Sequence, residues 1–147
     1  MISLNPHYNQ SYTKQDIASI LNIVKLCVEN DDYQLSLNKN RQENINFINN
    51  YSITSDRQKD ILLNLRVEDF CHSLKNTHPG YEHEILYVFA PIKALPNFFG
   101  EIENVQIYIK VNIMKRRNGK FVAVISFHKA NKQITYCFKQ SKKEDEA

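Results

Sequence analysis

The sequence predicts an α+β domain: a twisted antiparallel sheet packed on one side by about three helices. Three observations carry that reading. Segments with helical spacing of apolar residues gather in the first 65 residues, period-2 alternation takes over after about residue 84, and residues 105–128 read as one long hairpin. Along Val105–Ile113 the odd positions are aliphatic, while Gln106, Tyr108, Lys110 and Asn112 fill the even ones. That is the pattern of a strand with one buried and one wet face. Beyond the basic turn Lys115–Lys120 the alternation resumes, with Phe121, Ala123, Ile125 and Phe127 on the apolar side and Ser126 and His128 on the other.

The elements follow in order. Residues 1–12 are polar and are expected to form an arm. Thr13-x-x-Asp16 provides an N-cap, and Ile17, Ile20, Leu21, Val24, Cys27 and Val28 recur at i, i+3, i+4, i+7, predicting a helix over 14–29. Asn30–Asp32 ends it, and Tyr33–Leu37 alternates as a short edge strand. A second helix is expected over 39–50, carrying Ile45, Phe47 and Ile48. Ser55-x-x-Gln58 has the capping-box spacing and opens a third, through about Leu65, whose Ile61, Leu62 and Leu65 dock on the sheet. Glu84–Phe89 reads as a strand ending before Pro91, Ala94–Gly100 as a loop, and Gln133–Phe138 as a last antiparallel strand. The charged segment 141–147 reads as a flexible tail.

The hairpin register decides which side chains meet. Asn118–Gly119 tolerates positive φ and marks the turn. Keeping one face buried requires a loop with an odd number of residues, which a type I turn closed by Gly119 in a G1 bulge supplies. One such register sets Tyr108 opposite His128 and Lys110 opposite Ser126. A slide by two residues pairs Lys110 with His128 instead. In both, a phenol, an ammonium and an imidazole share one exposed face, and that face is the candidate site.

Composition narrows the function classes. The 147 residues suffice for one self-supporting domain, and 42% hydrophobic with 11% aromatic content is that of a globular chain. Net charge is only +3, but Lys115, Arg116, Arg117, Lys120, Lys129, Lys132 and Lys139 gather in the last third, where they can attract a polyanion. Cys27, Cys71 and Cys137 are odd in number and widely spaced, unlike a disulfide framework or a zinc ribbon, and fit a reducing, cytoplasmic setting. His72, His78 and His83 match no standard zinc spacing, so no metal and no cofactor is expected. No apolar run approaches the roughly 20 residues of a membrane span. Asp69 reads as a backbone-capping acceptor, and Ser126 with His128 lacks the orienting acid of a triad hydrolase.

In Ile61–Leu65, Asp69–Phe70-x-x-Ser73, Val88–Pro91, Val105–Lys110 and Val124–Phe127, taken in this order and spacing, the chain resembles the motility quorum-sensing regulator (MqsR) toxins of the RelE-like superfamily. The likeness covers roughly residues 51–129. It implies a RelE-like fold, a type II toxin that cleaves messenger RNA without a metal, and neutralisation by a co-encoded antitoxin. The family's conserved tyrosine falls on Tyr108, and two of its lysines fall on His72 and His128. A family glutamine falls near Leu86, an apolar residue, and the chain runs past the family core at both ends. The runner-up function is a catalytically silent RNA- or protein-binding module on the same fold.

The exchange of lysine for histidine has a chemical meaning. Cleavage by the 2′-hydroxyl needs a base for its proton and an acid for the leaving 5′-oxygen, and imidazole serves either at neutral pH. His72 and His128 are therefore the expected acid–base pair, with Tyr108 holding the phosphate or stacking a base. Lys110, Arg116, Arg117 and Lys129 are the expected RNA-binding cations. A partner is expected to add a strand at Tyr33–Leu37 or Gln133–Phe138.

Overall fold

The computed structural model describes residues 7–38 and 41–138. Along them run α1 (Lys14–Glu29), β1 (Tyr33–Leu35), α2 (Gln42–Asn50), α3 (Ser55–Leu63) and a 3-10 turn at Val67–Asp69. Then come β2 (Phe70–Lys75), β3 (Ile85–Phe89), β4 (Ile92–Pro96), β5 (Ile102–Arg116) and β6 (Gly119–Lys129). The architecture is the expected α+β one. The six strands form one open sheet in the order β1-β6-β5-β3-β2, with β4 paired to the opening residues of β5. The sheet is mixed rather than antiparallel, because β1 lies parallel to β6 through Tyr33–Val122 to Leu35–Val124.

Local chemistry starts α1 and α3, while α2 opens at Arg41 without a side-chain cap. Thr13 Oγ1 accepts from the Asp16 amide at 3.0 Å and Asp16 Oδ2 accepts from the Thr13 amide at 2.9 Å, so the box satisfies two orphan donors reciprocally. The third helix is capped one residue earlier than the Ser55–Gln58 spacing suggests. Thr54 Oγ1 accepts from Arg57 N at 3.1 Å, and the helix stops at Leu63. Helix α2 runs Gln42–Asn50, shorter than expected, and residues 39 and 40 lie outside the described part. It buries Asn44 and Phe47, with Ile48 only partly covered.

All three helices cover one sheet face. Ile17, Val24, Val28, Phe47, Ile61 and Leu62 pack there with Val105, Ile107, Ile109, Val111, Val122, Val124 and Phe127 in a single core. Each such side chain contributes about 1.5–3 kcal/mol by leaving water. Among the described residues, no helix is long and apolar enough to cross a membrane.

The opposite face carries a smaller cluster of Cys71, Val88, Ala90 and Tyr108, and two irregular segments lie over it. One is the second half of the expected arm, which docks: Asn9 exchanges backbone hydrogen bonds with Ser73 at 2.8 and 2.9 Å, and Gln10 Nε2 donates to Cys71 O at 2.7 Å. Residues 1–6 and the tail 141–147 lie outside the described part. The other segment is 130–136, with Ala130, Ile134 and Tyr136 against the cluster. Gln133–Phe138 is not the expected strand. It makes isolated bonds such as Cys137 N to Phe70 O at 3.0 Å, while Asn9 already occupies the edge of β2 at Ser73. Residues 94–96 belong to β4 rather than to a loop, with Pro96 at the strand end, where its missing amide does not break the ladder.

The hairpin achieves the expected site register by another route. Its loop is Arg117–Asn118, bounded by the pair Arg116–Gly119, and Gly119 alone there takes positive φ, at 129°. This even loop pairs Ile113 with Val122 and Val111 with Val124. The extra residue comes later, at Ile125, where the register shifts between Lys110–Ser126 and Val111–Val124. That bulge turns Phe127 into the core and leaves Ser126 and His128 on the other face. Phe121 and Ala123 therefore face outward, and the Arg116 guanidinium lies 3.5 Å over the Phe121 ring.

Candidate active site

Pairing across four strands assembles the site. His72 on β2 is opposite Val88 on β3, Val88 is opposite Lys110 on β5, and Lys110 is opposite Ser126 on β6. The neighbouring pair is Tyr108–His128. Their rings stack with centroids 5.4 Å apart at 25°, so the expected meeting of phenol and imidazole occurs. Both residues are buried, Tyr108 at 6% and His128 at 8% exposure.

A cavity of about 300 Å³ opens onto this pair, lined by Arg41, Glu43, Tyr108, Lys110, His128 and Lys132 among others. Three fixed cations and one imidazole face a single carboxylate there. Burial, then the nearby Arg41 and Lys132, lowers the Lys110 pKa, as expected of an ammonium losing water beside like charges. The Lys132 ammonium sits 5.1 Å over the Tyr108 ring, within cation–π range. Burial, followed by the Tyr8 and Cys71 neighbours, pushes the Tyr108 phenol up to about 12, so it remains a neutral donor. An anion entering this cavity regains for Lys110 the solvation that burial removes and meets the half-buried Arg41 and exposed Lys132 beside it, which makes the cavity an electrostatic well for a phosphate.

His128 is hydrogen-bonded at one nitrogen and lies near a carboxylate at the other. Its Nδ1 donates to the Lys129 carbonyl at 2.9 Å, since that oxygen can only accept. Nε2 is thus the basic nitrogen, and it points to Glu43 Oε1 at 3.6 Å. Glu43 is itself held by the Asn131 amide. The group that orients the ring from behind is the Lys129 carbonyl on Nδ1, while the Glu43 carboxylate stands beside the basic nitrogen itself, where it can balance the charge of an imidazolium.

The other expected site residues are placed differently. His72 shares the face but not the cavity. It is 5% exposed, Tyr8 stacks on it at 3.6 Å and 8°, and its Nε2 is buried with no hydrogen-bond partner. Burial, aided by Lys132 and Lys110, brings its pKa down to about 4, so it is neutral at neutral pH. Arg116 and Arg117 stand at the hairpin tip, six residues along β5 or about 20 Å from Lys110. Lys129 forms an ion pair with Glu103 at 3.0 Å. Leu86 is buried opposite Asn112. Asp69 is the capping acceptor it was expected to be, taking the Arg66 amide at 2.9 Å. Sequence reasoning missed Arg41, Glu43 and Lys132 as site residues, because α2 and the segment after β6 reach the cavity only through tertiary packing. Among the described residues, no group of three or more His, Cys, Asp or Glu side chains is arranged to hold a metal ion.

Comparison with known proteins returns no matching family model, no similar curated protein and no similar solved structure.

Proposed function

We propose that this protein is a type II toxin of the MqsR-like, RelE-like kind, an endoribonuclease that cleaves messenger RNA by attack of the 2′-hydroxyl. The observation that carries the proposal is the stacked Tyr108–His128 pair inside a cavity with Arg41, Lys110 and Lys132. His128 Nε2 takes the 2′-hydroxyl proton while Glu43 steadies the imidazolium that forms. The O2′–P bond forms, the P–O5′ bond breaks, and a 2′,3′-cyclic phosphate and a 5′-hydroxyl result, with no water consumed. Lys110, Lys132 and Arg41 balance the charge on the phosphoryl oxygens, and the Tyr108 phenol donates to one of them. The proton for the departing 5′-oxygen comes from Lys110, whose lowered pKa suits it to that role, and not from His72 beneath Tyr8. Messenger RNA is the substrate in this reading. The partner is a co-encoded antitoxin that adds to the sheet at the edge strand β1.

The test is cleavage of single-stranded RNA by wild type and His128→Ala, read with growth arrest on induction. Loss of a general base is expected to slow cleavage about 10²–10⁴-fold and to abolish arrest. Cleavage unchanged in His128→Ala removes the mechanism. A second reading, a binding module without catalysis, is favoured by the seclusion of His72 and by the apolar Leu86. It requires RNA binding with no cleavage by the wild type.

A further inference from the structure

A second and larger cavity, about 560 Å³, adjoins the first and shares Glu43 and His128 with it. It is lined by Phe98 and Phe99, which are 78% and 82% exposed, far beyond what apolar rings on a water-facing loop ordinarily show. Their loop is not loose. Asn97 Oδ1 accepts from Phe99 N at 2.9 Å and Glu101 N at 3.0 Å, Gly100 N donates to Asn97 O at 2.9 Å, and Asn97 N donates to Glu101 O at 2.8 Å. Gly100 supplies the positive φ, 81°, that closes the turn. The rings meet edge to face with centroids 5.6 Å apart at 83°. Across the cavity, Asn46 and Asn50 present amides one helical turn apart on α2, with Asn46 Oδ1 also accepting from Gln42 Nε2 at 2.9 Å. Amides donate and accept at once, as the edges of nucleobases do.

From this juxtaposition we infer that the Phe98–Phe99 turn and the α2 amides form a nucleobase subsite. It stacks and reads a base of single-stranded RNA flanking the phosphate held at Lys110. The inference rests on the endoribonuclease reading and deepens it. His128 lies on the boundary of the two cavities, so a base in one places the adjoining ribose and phosphate at the imidazole. Single-stranded RNA is recognised in this manner, by splayed bases on aromatic rings with their edges hydrogen-bonded. The rival occupant is a protein, for which exposed Ile92 and Ile102 on the β4–β5 pair offer further apolar surface. The polar lining of Asn46, Asn50 and Glu103 around the rings and the adjacent cationic cavity favour the nucleobase.

The experiment uses the full chain and two probes: an uncleavable 2′-O-methyl RNA hexamer and an abasic oligomer of the same length and charge. Binding is followed by fluorescence anisotropy. Phe98→Ala/Phe99→Ala is expected to weaken the base-bearing probe about 5- to 150-fold, the loss of stacking for one base, and to leave the abasic probe unchanged. Phe99→Trp should restore most of that loss. Lys110→Ala should weaken both probes alike. The exposed positions keep the double variant folded, which an unchanged melting temperature verifies. If wild type binds both probes and the double variant binds them equally well, the nucleobase subsite is overturned and the rings belong to a protein-docking surface. If wild type binds neither probe, the endoribonuclease reading itself fails, and the subsite with it.

Discussion

A histidine that cannot reach solvent reports on the fold rather than on the reaction. His72 is buried under Tyr8 with its Nε2 unpaired, and its folded pKa near 4 lies below its unfolded value near 6.5. The unfolded chain therefore binds the extra proton first. The stability His72 supplies is present above about pH 6.5 and is lost as pH falls toward 4. The span corresponds to about 3 kcal/mol. Urea unfolding of wild type and His72→Phe at pH 7.5 and 4.5 checks it. The wild type is expected to lose about 2.5 kcal/mol more than the variant on acidification, since pH 4.5 still lies above the folded pKa, the carboxylates and the other histidines being common to both. An equal loss in both removes the claim. Tyr108, Lys110 and His128 were legible in the sequence because a strand's period of two and a hairpin turn fix which residues are neighbours. The surroundings of His72 were not. They depend on the arm folding back to set Tyr8 on the imidazole, a contact 64 residues apart that no local pattern encodes.

At the level of elements, the bulge at Ile125 decides where the site is. From Phe121 to Ile125 every residue is apolar, so alternation alone cannot say which parity faces the core. The turn at Gly119 and the packing of Val122 and Val124 choose the even residues, and the bulge then restores the parity that Phe127 requires. The parity at His128 was thus readable, but the position of the extra residue was not. Asn44 fixes the bulge. It is 1% exposed, its Nδ2 donates to Ser36 O at 2.8 Å and to Ile125 O at 3.0 Å, and its Oδ1 accepts from Phe127 N at 2.9 Å. A polar residue on the buried side of α2 reads as an imperfection in a sequence pattern, yet here it satisfies backbone groups that the bulge strands. Asn44→Leu keeps the branching of the side chain and removes all three bonds. It is expected to cost about 3 kcal/mol and to speed hydrogen exchange at residues 125–128. Unchanged exchange there would show that the bulge holds without its clamp.

At the level of the whole molecule, two layers share the work. The helices bury the core on one face, and segments 7–10 and 130–136 cross the other, before Cys137 and Phe138 return to the helix-side core. The α+β architecture with three helices was legible from periodicity. The parallel placement of β1 and the ordered course of 133–138 were not, since both depend on which edges other segments already occupy. Gln10 is hydrogen-bonded to Thr135 O at 3.4 Å and accepts at its carbonyl from Cys137 Sγ at 3.4 Å, across 125 and 127 residues of chain. Segments so far apart in sequence and adjacent in space bring the two ends of the described residues together, while the exposed turn Arg117–Asn118 offers a place to open the chain. The order of synthesis is then separable from the shape. A circular permutant that opens between Arg117 and Asn118, and joins residue 138 to residue 7 through a flexible linker of about eight Gly and Ser residues, is expected to fold and keep Tyr108 stacked on His128. Its circular dichroism spectrum and RNA binding, compared with those of the parent, measure how far the face that carries Tyr108 and His128 is independent of the order of the chain.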